Sequence, residues 1–269
     1  MKDDGQQREY DFLGRVASAA SVPDFAAEVV PYCRDLFEAG SVLAVLFHRD
    51  RAPEVLFRWS TDRLRSENFD RNYPVIGYLL DPFYRIAFDG AARFAGPLRE
   101  IAPDRFEASE YYDAYFGATR LSDELGAVAR LGASRSLHLA VGRDRGQRRF
   151  RASEVARFDL LSRVLMPCLA ALAPVPAPGV PLPPLRTRLE ALALETGEQL
   201  SAREAQVAEL ILQGHSSRAM ALKLGISVHT AKVHRRNLYR KMNISSQSEL
   251  FVHVNRAIGL QAAELGAPG

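Results

Sequence analysis

Residues 225–245 read GISVHTAKVHRRNLYRKMNIS, with five Lys or Arg, a polar centre and no carboxylate. A solvated helix face ordinarily mixes both signs at i,i+4 spacing, because opposite charges there stabilise the helix and like charges destabilise it. A helix that departs from this expects negative charge from outside the chain. The spacing predicts a helix over about 228–242, with Ser227 at the N-cap. At 100° per residue, Ala231, Leu238 and Met242 fall within about 40° of one another and form a stripe to bury. His229, Lys232, Val233, Arg236 and Arg240 spread over about 100° on roughly the opposite side. Thr230, Asn237 and Lys241 flank that arc.

The segments on either side carry helix punctuation. In LSARE, Ser201 and Glu204 form a capping box; Val207, Leu210 and Ile211 supply an apolar stripe, and Gly214 a stop. Ser216 opens a short helix, SSRAMALKL, that ends at Gly225. Ser246 opens a fourth, QSELFVHVNRAI, expected to end at Gly259. A short helix, a three-residue turn and a basic helix is the helix-turn-helix layout, so an all-α unit of four helices is expected. Lys or Arg on the outward arc suits guanine O6 and N7, Val233 suits a thymine methyl, and the flanking residues lie where phosphates would run. Charge agrees: residues 197–260 hold nine Lys/Arg against four Glu, whereas residues 1–196 are balanced to within one charge.

The span LSAREAQVAELILQGHSSRAMALKLGISVHTAKVHRRNLYRKMNISSQSEL resembles the LuxR/FixJ-type DNA-binding domain over its full length. TAKVHRRNLYRKM is the strongest part, with Ala231 where the pattern has Val and Met220 where it has Ile. The resemblance implies a third helix in the major groove of double-stranded DNA, with Lys232, Val233 and Arg236 at base edges. Backbone contacts are then expected from Ser217, His229, Thr230, Arg235, Asn237, Arg240 and Lys241. It also implies dimerisation through the fourth helix, at Leu250 and Val254, and a two-fold operator with half-sites about 10 bp apart.

Ahead of this unit, APVPAPGVPLPPL (173–185) reads as a semi-rigid spacer. Domains are therefore expected at 1–173 and 197–269, with 174–196 as linker plus a short helix at Leu185, Leu189 and Leu192. Val164 to Leu185 carries no charge but seven prolines, which excludes a spanning helix. No secretory h-region opens the chain, and Cys33 and Cys168 are too few and too far apart for a zinc site or a disulfide framework. A cytoplasmic protein with neither metal nor cofactor is expected.

The first 173 residues predict an α+β sensor unit, an antiparallel sheet with helices, resembling GAF-like or autoinducer-binding-type domains in element order. DFLGRVASAA and DFAAEVVPYCRDLFEAG read as helices, the second ending at Gly40. SVLAVLFH with EVLFRWS, and ELGAVARL with RSLHLAVG, read as strand pairs. YPVIGYLLDPFYRIAFDG reads as a helix interrupted at Pro82, SEYYDAYFGATRL as another, and SEVARFDLLSRVLMPCLAAL as a long closing helix. Phosphoacceptor receiver domains alternate strands and helices, which this half does not.

Residues 69–116 hold twelve of the chain's 24 aromatics, a composition that suits either a core or an apolar ligand pocket. The candidate effector residues are Trp59, Tyr73, Tyr78, Asp81, Phe83, Tyr84, Tyr111, Tyr112, Tyr115 and His138. NYPVIGYLLDPFY resembles the autoinducer-binding pattern at Tyr78 and Asp81, although the Trp of that pattern is absent between them. A small organic effector is the first expectation; a protein-interaction module without a ligand and an acyl-homoserine-lactone receptor are the alternatives. His48-Arg49-Asp50 opens like a kinase catalytic loop, but position 55 is Val where a metal-holding Asn is needed, so no enzyme is expected.

Overall fold

The structure, a computed structural model, describes residues 2–62, 77–106, 121–174 and 199–254, together with 73, 112, 187 and 189. The helix expected around 109–121, with Tyr111 and Tyr115, lies outside the described residues, as do most of the spacer and the end of the last helix. The chain divides into two compact units. Met1–Glu67, Phe83–Ile101 and Thr119–Val180 make the first; Asn68–Pro82, Ala102–Ala118 and Pro181–Gly269 make the second.

The first unit is an antiparallel five-stranded sheet backed by helices, the α+β architecture expected. Its elements are α1 (Lys2–Ala17), α2 (Val22–Phe37), β1 (Ser41–His48) and β2 (Glu54–Ser60). Then come α4 (Pro82–Asp89, after a single turn α3, Tyr78–Leu80, assigned to the second unit), β3 (Arg93–Pro97), β4 (Leu121–Arg130), β5 (Arg135–Asp144) and α5 (Ala152–Leu172). The strand order is β2-β1-β5-β4-β3, and every neighbouring pair is antiparallel. Asp81 takes an extended backbone between α3 and α4, the break that Pro82 demands. The strand β3, RFAGP, has no counterpart among the sequence expectations. It carries too few β-formers to stand out and is held by its pairing with β4.

Strand alternation sorts the sheet into two faces. Val42, Ala44 and Leu46 of β1, Leu137, Leu139 and Val141 of β5, and Leu125 and Ala127 of β4 all join one core with Phe12, Val16, Phe25, Val29, Cys33, Phe37, Phe158, Leu161 and Leu165 of α1, α2 and α5. In α2 the buried residues recur every fourth position, Phe25, Val29, Cys33 and Phe37, so one stripe faces the sheet. Each such large side chain contributes about 1.5–3 kcal/mol on burial. Ser21 caps α2 by accepting from the Asp24 N–H, and Glu38, in the left-handed conformation at φ 51°, ends it two residues before the expected Gly40. Cys33 is buried, and that burial pushes its thiol up to about 12, which makes it a packing residue. His48, in the supposed kinase-like turn, is buried with Nε2 3.0 Å from Glu54 Oε1, a role in closing the β1–β2 hairpin.

One buried cation ties the helices to the sheet. Arg143 of β5 has no exposed side-chain surface. Its Nε donates to the Phe37 carbonyl at the end of α2 (2.9 Å), its Nη2 to Glu154 in the first turn of α5 (2.8 Å), and its guanidinium lies over the Phe150 ring at 4.2 Å. Glu154 also accepts from Arg148 and from the Arg151 N–H. The Arg148 bonds, foremost, hold the Glu154 carboxyl far below the usual carboxylate range against the effect of burial. Because that pKa is depressed on folding, the stabilisation is present above the unfolded carboxyl's pKa of about 4.3 and is lost as pH falls. Glu154→Gln is expected to destabilise the protein by about 3 kcal/mol at pH 7, because Arg143 stays buried without its counter-charge. The deficit should shrink below pH 4 in urea unfolding; a deficit independent of pH would contradict the ion-pair account.

Candidate nucleic-acid interface and sheet-face site

In the second unit three helices follow the sequence expectations closely: α6 (Ala202–Leu212), α7 (Ser217–Leu224) and α8 (Val228–Lys241). A fourth helix, α9, runs over residues 247–254. Ser201, Ser216 and Ser227 each accept from the backbone N–H three residues on, at 3.2, 3.1 and 3.0 Å, and Glu204 completes the capping box by accepting from the Ser201 N–H. Gly225 takes φ 63°, which turns the chain sharply between α7 and α8. Asp104 lies at the start of α7, accepting from the Ser216 N–H (3.0 Å) and hydroxyl (2.5 Å).

Packing against α6 and α7 decides which side of α8 faces out. Ala231, Leu238 and Met242 are wholly buried, the stripe expected from their angular positions, and Met220 of α7 is buried with them. His229, Lys232, Arg236 and Arg240 are exposed, while Thr230, Val233, Arg235, Asn237 and, on α7, Ser217 are half-buried. The outward face therefore carries cations and no carboxylate.

Two expectations need correction. Lys241 is engaged inside the unit: its Nζ donates to Glu204 Oε2 and to the Gln199 carbonyl, both at 2.8 Å. Burial alone would raise the Glu204 pKa, but Lys241 and the Ser201 donors outweigh it and hold the carboxyl below its ordinary value. Lys241 thus locks the end of α8 to the start of α6 and is not presented to a phosphate. Leu250 and Val254, expected at a dimer interface, are core residues, 0% and 1% exposed; Val252, between them on α9, is the exposed one at 60%. The i,i+4 spacing of Leu250 and Val254 signals burial without saying against what.

In the first unit, the sheet face away from the main core carries a second set of candidates. His138 pairs with Val45 on one side and Val128 on the other, and Val128 pairs with Phe94. The next row on that face starts at Leu43 of β1 and is small from there on: Ala140, Gly126 and Gly96. A Cβ on Gly126 would stand 2.3 Å from the Phe83 ring and 2.9 Å from His138 Cε1, so glycine is what lets α4 lay Phe83 flat on the sheet. The imidazole of His138 stacks on Phe83 (4.5 Å between centroids) and on Phe47 (5.4 Å). Tyr84 meets Phe47 edge-on at 5.3 Å, and its hydroxyl donates to the His48 carbonyl. Burial lowers the His138 pKa to about 4.

The structure thus brings Phe83, Tyr84 and His138 together. Trp59 is excluded: it pairs with Val42 and packs against the main core on the opposite face. In the second unit, Tyr73 donates to Asp81 Oδ2 at 2.5 Å and Tyr78 is buried, while Tyr112 meets Phe106 edge-on. Phe47 and Gly126 were missed because neither lies in the aromatic-rich segment, and strand register, unknown from sequence, is what places them beside His138. Among the described residues no cluster of His, Cys, Asp and Glu could hold a metal ion, and no helix is long and apolar enough to cross a membrane.

Residues 198–254 match the family model for bacterial regulatory proteins of the luxR family. A protein from the exeN 3′ region of Aeromonas salmonicida, described as an HTH-type transcriptional regulator, is 30% identical over 197 residues, 70% of this chain and 100% of that protein. The chain belongs to the luxR family. The response regulator TodT of Pseudomonas putida is 48% identical over 56 residues, 21% of this chain and a quarter (25%) of TodT. Among solved structures, the VqsR LBD domain of Pseudomonas aeruginosa aligns with a TM-score of 0.52 at 26% identity, covering 62% of this chain and 99% of that domain. This LuxR-family chain is therefore a DNA-binding transcriptional regulator, and its N-terminal part shares the fold of an autoinducer-binding-type domain. Its relatives are regulators and not enzymes.

Lys241→Ala is expected to destabilise the C-terminal unit by about 2 kcal/mol, because Glu204 loses its buried partner. The slope of log affinity against log salt should stay at the wild-type value. A slope shallower by about 0.9 would show that Lys241 neutralises a phosphate after all.

Proposed function

We propose that Lys232, Val233 and Arg236 read base edges in the major groove while Ser217, His229, Thr230, Arg235, Asn237 and Arg240 hold the DNA backbone. The observation that carries this reading is the exposed, carboxylate-free arc of α8 lying opposite its buried stripe. Residues 1–173 act as the sensor, 174–196 as the connection and 197–269 as the reader, working in the cytoplasm. Selection of binding sites from a randomised duplex pool, using the full chain, tests the assignment. Arg236→Ala is expected to weaken binding to the selected site by about 1–3 kcal/mol and relax the preference at one base pair. Equal loss on every sequence would reduce Arg236 to a phosphate contact.

The regulator works as a homodimer on a two-fold site. With Leu250 and Val254 buried, the support comes from α5, where Leu160 (62% exposed) and Val164 (37%) continue into exposed Pro167 and Ala171 as one apolar stripe. Leu160→Asp should turn a dimer into a monomer in sedimentation; an unchanged dimer would place the interface elsewhere.

The effector of the sensor unit is a small apolar or aromatic molecule held on the sheet face around His138. The aromatic lining and the likeness to the VqsR LBD domain support this; an acyl-homoserine lactone is one member of that class. A second reading, a sensor that answers to a protein partner with no small molecule, is favoured by the way Phe83 already fills the space over Gly126. Thermal shifts across a metabolite panel separate the two, because a ligand that binds the folded state raises its stability by mass action.

A further inference from the structure

His138 is wholly buried, and its Nε2 has no hydrogen-bond partner, the sole such side-chain atom among the described residues. Buried polar atoms in folded proteins are ordinarily paired, and an unpaired one costs about 1–3 kcal/mol, so this exception calls for a physical account. The protonation state of the ring is determined by its other nitrogen. Nδ1 lies 3.3 Å from the Ala127 carbonyl oxygen, which can only accept, so Nδ1 carries the hydrogen. Burial in an apolar, aromatic setting keeps the imidazole neutral at physiological pH. Nε2 is therefore a bare lone pair, an acceptor awaiting a donor.

Its surroundings select what could supply that donor. The ring stacks on Phe47 and Phe83; in the next row Phe83 lies over Gly126, and Phe94 and the Glu100 carboxylate approach Gly96. Flat aromatic rings already stack there, and a planar guest makes the same contacts. At Nε2 itself charge is disfavoured, since the rings stacked on the imidazole, Phe47 and Phe83, offer no counter-charge.

We propose that the effector is a neutral, planar molecule that presents an N–H or O–H donor to His138 Nε2, in the manner of a phenol or an indole. The proposal rests on the small-molecule reading of the sheet face and deepens it by specifying the chemistry of the recognised group. A guest offering only acceptors at this point, such as an ether or ester oxygen, leaves two lone pairs facing each other.

Matched probes test the claim on the full chain: phenol against anisole, and indole against 1-methylindole, titrated in thermal unfolding and calorimetry. Each pair keeps its ring and loses only its donor. The expected result is apparent affinity at least ten-fold weaker for the methylated member. In His138→Leu, which removes the lone pair and keeps an apolar side chain of similar bulk, that ratio should collapse to near one. His138→Gln, whose amide oxygen can still accept, should retain part of it and serves if the leucine variant fails to fold. Equal binding of parent and methylated probes to the wild type would overturn the donor assignment and leave the small-molecule reading standing. Discrimination that survives unchanged in both variants would also overturn it, by placing the donor's partner elsewhere. Failure of all four probes to bind at millimolar concentration would overturn the proposal together with the reading on which it rests.

Discussion

A helix can bury only one stripe, and in α8 that constraint determines what the C-terminal unit does. Ala231 and Leu238, with Met242 at the C-cap, occupy the side packed on α6 and α7, so the remaining residues of the fourteen-residue helix must lie at its flanks or face water. Without a carboxylate on the open side, Lys232, Arg236 and Arg240 gain no stabilisation from helix neighbours and repel one another weakly. Their charge becomes favourable against an anionic surface of matching pitch. The caps at Ser201, Ser216 and Ser227 and the turn at Gly225 fix how α8 projects. The ion pair from Lys241 to Glu204 anchors its far end.

The sensor unit divides its labour between two sheet faces. One face is sealed by α1, α2 and α5 and held in place by the buried Arg143, which joins β5 and the start of α5 to the end of α2, far earlier in the chain. Such an arrangement resists deformation, because each donor of the guanidinium has a defined acceptor and moving one element strands the charge. The other face has small residues, aromatic rings and one unpaired imidazole nitrogen. The unpaired nitrogen on that face is what supports the effector site proposed there.

The C-terminal unit was legible in the sequence because its signals are local. Caps fall three residues before the N–H groups they serve, and the buried stripe of α8 follows from a 100° rotation applied to one short segment. The strands of the sensor were legible as segments, from alternation and flanking turns, except for β3. What sequence could not supply was register. Whether Trp59 or Phe47 shares a face with His138 depends on pairings between strands about ninety residues apart, and a shift of one residue reverses the answer. Leu250 and Val254 failed for a related reason: apolar spacing marks a face for burial, and the partner is decided in three dimensions. Lys241 looked like part of the basic arc because angular position says nothing of what a flexible side chain meets at its end.

Capture of sheared genomic DNA from the source organism on the purified full-length protein, followed by sequencing, tests the account most directly. Enrichment of a small set of sites sharing a two-fold sequence, with half-sites about 10 bp apart, is the expected result. Recovery of DNA with no common sequence, both from the full chain and from residues 197–269 alone, would contradict the claim that the outward arc of α8 reads bases.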